Sequence, residues 1–246
     1  MILPNYGEGS SPERIRRVAE LAEELGYDSV WATEHLIVAP EAVDPYGRVY
    51  DPYVTLGWIA GWTESVALGT SITLVALHNP IHLAKQAVTL QEVSGRPFML
   101  GVGMGWHEPE FTFMGVEFAG RGRRADEAIR VIRALWRGDK DYDGPLWSFH
   151  DATSEPHPSP PPEIWVGGSS ERALRRVREL GDVWHPSRSS DPEHVRRVKE
   201  AQPELRVVPR TTPERIEAML EAGAEGAVVT FPDEAAMREV ARRYRT

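Results

Sequence analysis

The stretch Phe98-Met-Leu-Gly-Val-Gly-Met-Gly-Trp106, continued by His107-Glu-Pro-Glu-Phe111, decides how the rest of the chain is read. Three apolar residues followed by alternating glycines predict a short buried strand. Its end would let something flat approach the backbone. A glycine-rich strand end opening into a loop is where α/β proteins commonly hold a cofactor. The dinucleotide fingerprint G-x-G-x-x-G does not fit, because Gly101, Gly103 and Gly105 are followed by Trp106 where the third glycine belongs. A tight strand-to-helix turn with no ligand accounts for the same glycines.

Outward from this strand the chain alternates. On the N-terminal side, 1–4 is a very short first strand. Ser10-Ser11-Pro12-Glu13 starts a helix whose apolar positions Ile15, Val18, Ala19, Leu21, Ala22 and Leu25 share one face, with Gly26 as its stop. A strand at 28–32 follows, then a loop at 36–51 long enough to wall a pocket. A helix at 52–62 leads to a β-rich run at 66–75, in which Gly69-Thr-Ser71 predicts a bulge, and a helix at 81–93 precedes the central strand. On the C-terminal side lie an amphipathic helix at 121–136, a small hairpin at 142–152 and a rigid proline-rich lead at 156–162. Strands at 164–166, 182–186, 205–208 and 227–231 then alternate with helices at 171–180, 191–201, 213–222 and 233–244. Eight strands alternating with helices predict a parallel sheet closed into a (β/α)8 TIM barrel. It would be a single α/β domain over 1–246, with an open doubly wound sheet as the alternative.

Composition narrows the function. The 246 residues carry a net charge of −9, which argues against nucleic acid as a partner. There is no cysteine, so thiolate metal sites, disulfides and cysteine nucleophiles are excluded. No secretory leader and no bilayer-length apolar run is read, so a cytoplasmic protein with no membrane partner is expected.

In a barrel of this kind the C-terminal strand ends share one mouth. They carry Asn5 and Tyr6; Glu34 and His35; Thr73, then His78 and Asn79; Met104 to Glu108; Gly167, Gly168, Ser169 and Ser170; Trp184, His185 and Ser187; Arg210; and Thr230. His35 is a candidate general acid or base, against a histidine merely bonded to Glu34 or to a carbonyl. Gly167-Gly-Ser-Ser170 opening a helix is a candidate phosphate site, against plain capping by Ser169 or Ser170. No metal is expected, since Glu34, His35, His78, His107 and His185 lack metal-ligand spacing. Trp31, Trp58, Trp62 and Trp136 are read as core, while Trp106 and Trp184 could wall a planar ligand. Arg121-Gly-Arg-Arg124 is read as a solvated helix start, with one arginine reaching an anionic tail as the alternative.

The segments 100–111, 121–127, 135–136, 162–169 and 181–186, with 22–35 and Gly69-Thr-Ser71, resemble the bacterial luciferase-like monooxygenase superfamily. The resemblance is to its coenzyme F-420 (deazaflavin) branch. It differs in having Glu34 where aspartate is common and His107 where asparagine is common. The resemblance implies a (β/α)8 barrel binding a deazaflavin at its mouth, with FMN as the alternative cofactor. It implies a non-proline cis peptide near Ser71, Ile72 and Thr73 under the ring, and His35 at the reactive face, helped by Glu34. Met104, Gly105, Trp106 and His107 would contact the ring and tail, Gly167, Gly168, Ser169 and Ser170 the phosphate, and Asn5 would complete the cofactor site. The expected activity is hydride transfer to or from a small-molecule substrate by a homodimer. An FMN-dependent monooxygenase and a non-catalytic binding barrel are the alternatives.

Overall fold

The computed structural model describes residues 1–187 and 191–244. Its sheet is built from parallel neighbours in chain order. Ser29–Ala32 pairs with Ala67–Thr70, which pairs with Phe98–Gly103, then Glu163–Gly167, then Val183–His185. The remaining strands are short. Val207 bridges Trp184 in parallel, and Arg210–Thr211 pairs with Val228–Val229. The Ile2 amide then donates to the Val229 carbonyl at 2.8 Å while Ile2 bridges Trp31. These last hydrogen bonds return the sheet to its start, so eight strand segments close a barrel.

Alternation along the strands sorts side chains to its two faces. Ile2, Trp31, Met99, Trp165, Val183 and Val228 form a cluster of their own, the apolar plug inside the ring. The Trp31 and Trp165 rings lie 4.6 Å apart within it. Val30, Leu68, Leu100, Ile164 and Val166 belong instead to the larger core that the helices cover. Serine and asparagine set the helix starts, as their short side chains accept from first-turn amides. Ser11 accepts from Arg14 N before Pro12–Glu24, and Asn79 accepts from Ile81 N and His82 N before Pro80–Ser94.

Three local features shape the mouth. The third strand stops at Thr70, passes through a cis Ser71-Ile72 peptide and resumes at Thr73–Leu74 against Val102 and Gly103. This is where a bulge and a non-proline cis bond were expected. The loop after the second strand contains two short helical turns, Pro40–Ala42 and Val43–Tyr46. A short helix, Glu108–Phe113, follows the fourth strand, a helix that the sequence pattern does not predict.

Two tryptophans depart from the expected core. Trp58 is 38% exposed, because Pro52–Ala60 is apolar on more than its buried face, and Trp62, in the turn after that helix, is 44% exposed with the Arg16 guanidinium over its ring. Trp31 and Trp136 are buried as expected, whereas Trp184, read as a wall for a planar ligand, is fully buried in the core instead. Among the described residues no helix is long and apolar enough to cross a membrane.

Candidate active site

Above the tryptophan plug the barrel interior turns polar. His185 Nδ1 lies 2.6 Å from the Val208 carbonyl, and its Nε2 lies 2.9 Å from Ser71 Oγ. Burial, with Arg210 nearby, pushes its pKa down to about 4 against the opposing carbonyl bond. The ring is therefore neutral at pH 7, Nδ1–H donates to the carbonyl, and Ser71 Oγ–H donates to Nε2. Arg210 donates to the Ser71 carbonyl at 2.8 Å, to Thr33 Oγ1 at 3.2 Å and to the Tyr6 hydroxyl at 2.9 Å. Together they fix the strand-three break from below.

This layer has a pH consequence. A histidine whose pKa falls from 6.5 unfolded to about 4 folded binds its proton more readily when unfolded. Its contribution is complete above pH 6.5 and is lost as pH falls towards 4, at up to about 1.4 kcal/mol per pH unit. His78 works in the opposite sense. Burial disfavours its charged form, but the bond to and charge of Glu34, with Asp51, raise its pKa overall. Its contribution is present below 6.5 and is lost as pH rises through the folded value. Urea midpoints are expected to fall between pH 7 and pH 5, and His185→Gln should flatten that slope. An unchanged slope in the variant contradicts the assignment.

His35 sits at the end of the second strand, with its side chain 6% exposed. Its Nδ1 lies 2.9 Å from Glu110 Oε2. The other carboxylate oxygen, Oε1, accepts from the amides of Leu36 at 2.6 Å and Ile37 at 3.4 Å. Burial works to raise the Glu110 pKa, but the His35 bond and the two amides outweigh it and hold it below its ordinary value. Tyr46 lies on the imidazole, with ring centres 4.2 Å apart, and Trp106 is 6.0 Å away. His35 lines a cavity of about 480 Å³ with Leu36, Ile37, Val43 and Tyr46. Glu110 and Tyr46 were missed from the sequence. The signal for Glu110 was a carboxylate just past the Met104 to Glu108 stretch assigned to the mouth.

The other expected residues divide by access. Glu34 does not pair with His35. Its Oε2 accepts from Leu74 N at 2.7 Å, and both its oxygens lie 3.0 Å from His78 Nε2. Asn5 is fully buried, bonded to Thr33 N and to the Thr33 and Tyr50 carbonyls. The Thr73 hydroxyl meets Tyr53 Oη at 2.6 Å. His107 is buried, and its Nε2 accepts from Ala39 N at 2.9 Å, pinning the loop that carries Tyr46. The four mouth histidines thus hold four different partners. Ser170 is exposed and caps Glu171–Leu180 through Ala173 N. Gly167 is buried, Gly168 and Ser169 are half-buried, and Trp184 Nε1 donates to the Gly168 carbonyl. Ile72, Met104 and Gly105 are half-buried, and Trp106 is 58% exposed. Arg121 and Arg124 hold the carbonyls of Gly105 and Ala76.

The strand-four glycines call for a correction. A Cβ on Gly101 would lie 1.8 Å from the Thr70 carbonyl oxygen, and one on Gly103 would lie 1.6 Å from Ile72 Cδ1. A Cβ on Gly167 would also touch Ile72. The room these glycines leave is filled by the chain itself, because the break in strand three brings Thr70 and Ile72 inward. The flat surface open at the mouth is Trp106.

Comparison with known proteins adds a family. The luciferase-like monooxygenase model matches residues 3–246. An F-420-dependent glucose-6-phosphate dehydrogenase from Kineococcus radiotolerans is 33% identical over 181 residues, covering 71% of this chain and 52% of that protein. The oxygenase component of a flavin-dependent trigonelline monooxygenase from Acinetobacter baylyi is 29% identical over 162 residues, covering 63% and 42%. The chain thus spans about half the length of these relatives. In fold it is similar to an F-420-dependent secondary alcohol dehydrogenase solved with an F-420–acetone adduct. That match has a TM-score of 0.81 and 16% identity, over 95% of this chain and 94% of that one. At that identity the likeness speaks for the barrel alone.

Proposed function

Because the chain belongs to the luciferase-like monooxygenase family, we propose that it moves a hydride between coenzyme F-420 and a small organic substrate at the barrel mouth. The observation that carries this reading is His35, braced by Glu110 and flanked by the exposed ring of Trp106. The F-420-dependent relative supports the choice of cofactor, while the flavin-dependent relative keeps FMN as the alternative.

The residues present fit a flat ring with an anionic tail. Trp106 offers an open aromatic face beside an imidazole. Gly168, with φ of +100°, turns the fifth strand into the start of Glu171–Leu180, where the helix dipole favours an anion. At the ends of strands seven and eight the hydroxyls of Thr211 and Thr230 are buried with no hydrogen-bond partner among the described residues. When bound, a deazaflavin supplies a two-electron hydride carrier. The protein's share is placement and proton handling. Trp106 and Met104 orient the ring, the Gly168–Ser170 turn holds the tail, and Tyr46 with the aliphatic loop side chains excludes water. His35 accepts or returns the substrate proton. Glu34 braces the third strand through Leu74 rather than acting beside His35.

Titrating F-420 and FMN in parallel, read by fluorescence, tests the proposal. Saturable micromolar binding of F-420, tighter than that of FMN, is expected. Binding of neither overturns it, and tighter FMN binding with substrate-dependent oxygen uptake replaces it with the monooxygenase. The homodimer belongs to the same proposal, and light scattering of that preparation should give twice the chain mass. A single-chain mass removes the dimer from it.

A further inference from the structure

We propose that Glu110 is the positioning residue for His35: it fixes which ring nitrogen exchanges the proton and ties that choice to the loop carrying Tyr46. The inference rests on the reading of His35 as the proton-handling group.

The two oxygens of Glu110 do different work. Oε2 meets His35 Nδ1 at 2.9 Å, and Oε1 takes the Leu36 and Ile37 amides. A carboxylate held ionised only accepts hydrogen bonds, so Nδ1 must carry the proton. That leaves Nε2 as the base in the neutral ring and as the acid in the charged one. The carboxylate belongs to Glu108–Phe113 while the imidazole and both amides follow Ser29–Ala32, so one side chain joins the ends of strands two and four. Both partners are almost fully buried, and the pair is shielded from water that would otherwise compete for these bonds.

The surroundings leave Glu110 as the group in contact with Nδ1. Tyr46 packs on the ring face, and Trp106 meets it edge to face. Glu8, Asp44 and Arg48 line the same cavity. His107 is turned to Ala39, with Glu41 beyond it at 4.0 Å.

The experiment is nitrogen-15 NMR of the histidine rings in the cofactor-free protein, with His35 assigned by its loss in His35→Asn. In the wild type at a pH where the ring is neutral, the Nδ1–H tautomer and a slowly exchanging Nδ1 proton are expected. In Glu110→Gln the amide oxygen must face the two loop amides, which turns the NH2 group towards Nδ1. The tautomer should therefore flip to Nε2–H. Turnover should fall roughly 10- to 100-fold, by analogy with the loss of the partner that orients a metal-bound histidine, while F-420 affinity holds. Glu110→Asp keeps a carboxylate and should retain the Nδ1–H signal. An Nε2–H tautomer in the wild type, or an unchanged tautomer in a folded Glu110→Gln, overturns the proposal. The wild-type spectrum decides even where the variant does not fold. Because the NMR is read without cofactor, its failure is distinct from a failure of F-420 to bind.

Discussion

His35→Asn is expected to lower hydride-transfer turnover by roughly 10²- to 10⁴-fold, the share a positioned general acid–base supplies, with F-420 affinity nearly unchanged. Asparagine keeps an N–H that can reach Glu110, so the carboxylate and the two amides it holds need not rearrange. What is lost is the ring nitrogen that would take or return the substrate proton. The separation of turnover from affinity is the informative part. Trp106, Met104 and the Gly168–Ser170 turn lie on other strand ends, and Trp106 approaches His35 at a ring distance of 6.0 Å. Single-turnover kinetics with saturating cofactor measure the step directly. Equal rates in variant and wild type would remove His35 from the proton transfer, and no turnover in either would support the non-catalytic barrel. A matched loss of affinity and rate would mean that the imidazole holds the ring rather than the proton.

The parts of the protein that could be read from sequence are those set by local rules. The helix Glu171–Leu180 was expected at the same residues, since its serine cap and amphipathic period are written within one short window. The strand-three break was legible because Gly69-Thr-Ser71 interrupts a β-branched run. The barrel was legible from the count of alternating units, although its last strands are reduced to a few backbone hydrogen bonds at Ile2, Val207 and Val228–Val229. What escaped is which polar groups meet across the mouth. Glu34 adjoins His35 in sequence, yet beyond the strand end at Ala32 the two side chains part, and Glu34 turns to Leu74 and His78. Its place beside His35 is taken by Glu110, 75 residues away. His107 and His185 look alike in sequence as strand-end histidines, but Ala39 N and Ser71 Oγ settle their roles, and both partners come from distant loops. Pairings of this kind depend on tertiary register, and no local window contains them.

Gly101→Ala should destabilise the protein by about 3 kcal/mol or more, at or beyond the usual upper end for overpacking a filled interior. The new methyl would lie 1.8 Å from the Thr70 carbonyl oxygen and 3.0 Å from its carbon. Those atoms are backbone, so relief cannot come from a rotamer change. They are also held in place: Thr70 Oγ1 donates to the Gly101 carbonyl at 2.9 Å, and Thr73 pairs with Val102 one residue further on. Moving Thr70 outward would drag the Ser71 carbonyl off Arg210 and Thr33. Gly103→Ala offers the comparison. Its methyl would meet Ile72 Cδ1, the far end of a flexible side chain that is half-buried at the mouth. Rotation of Ile72 can absorb that contact, so a cost of about 1–2 kcal/mol is expected. Urea and thermal unfolding of the two variants should therefore rank Gly101→Ala well below Gly103→Ala, by several degrees in midpoint at roughly 2–4 °C per kcal/mol. Equal stabilities, or a Gly101→Ala variant within about 1 kcal/mol of wild type, would show that strand three does not press on strand four as described. The ranking also separates two purposes a glycine-rich strand can serve. If the glycines cleared space for a ligand, both variants would fold well and lose F-420 binding; here the first should fail in folding before its binding can be measured.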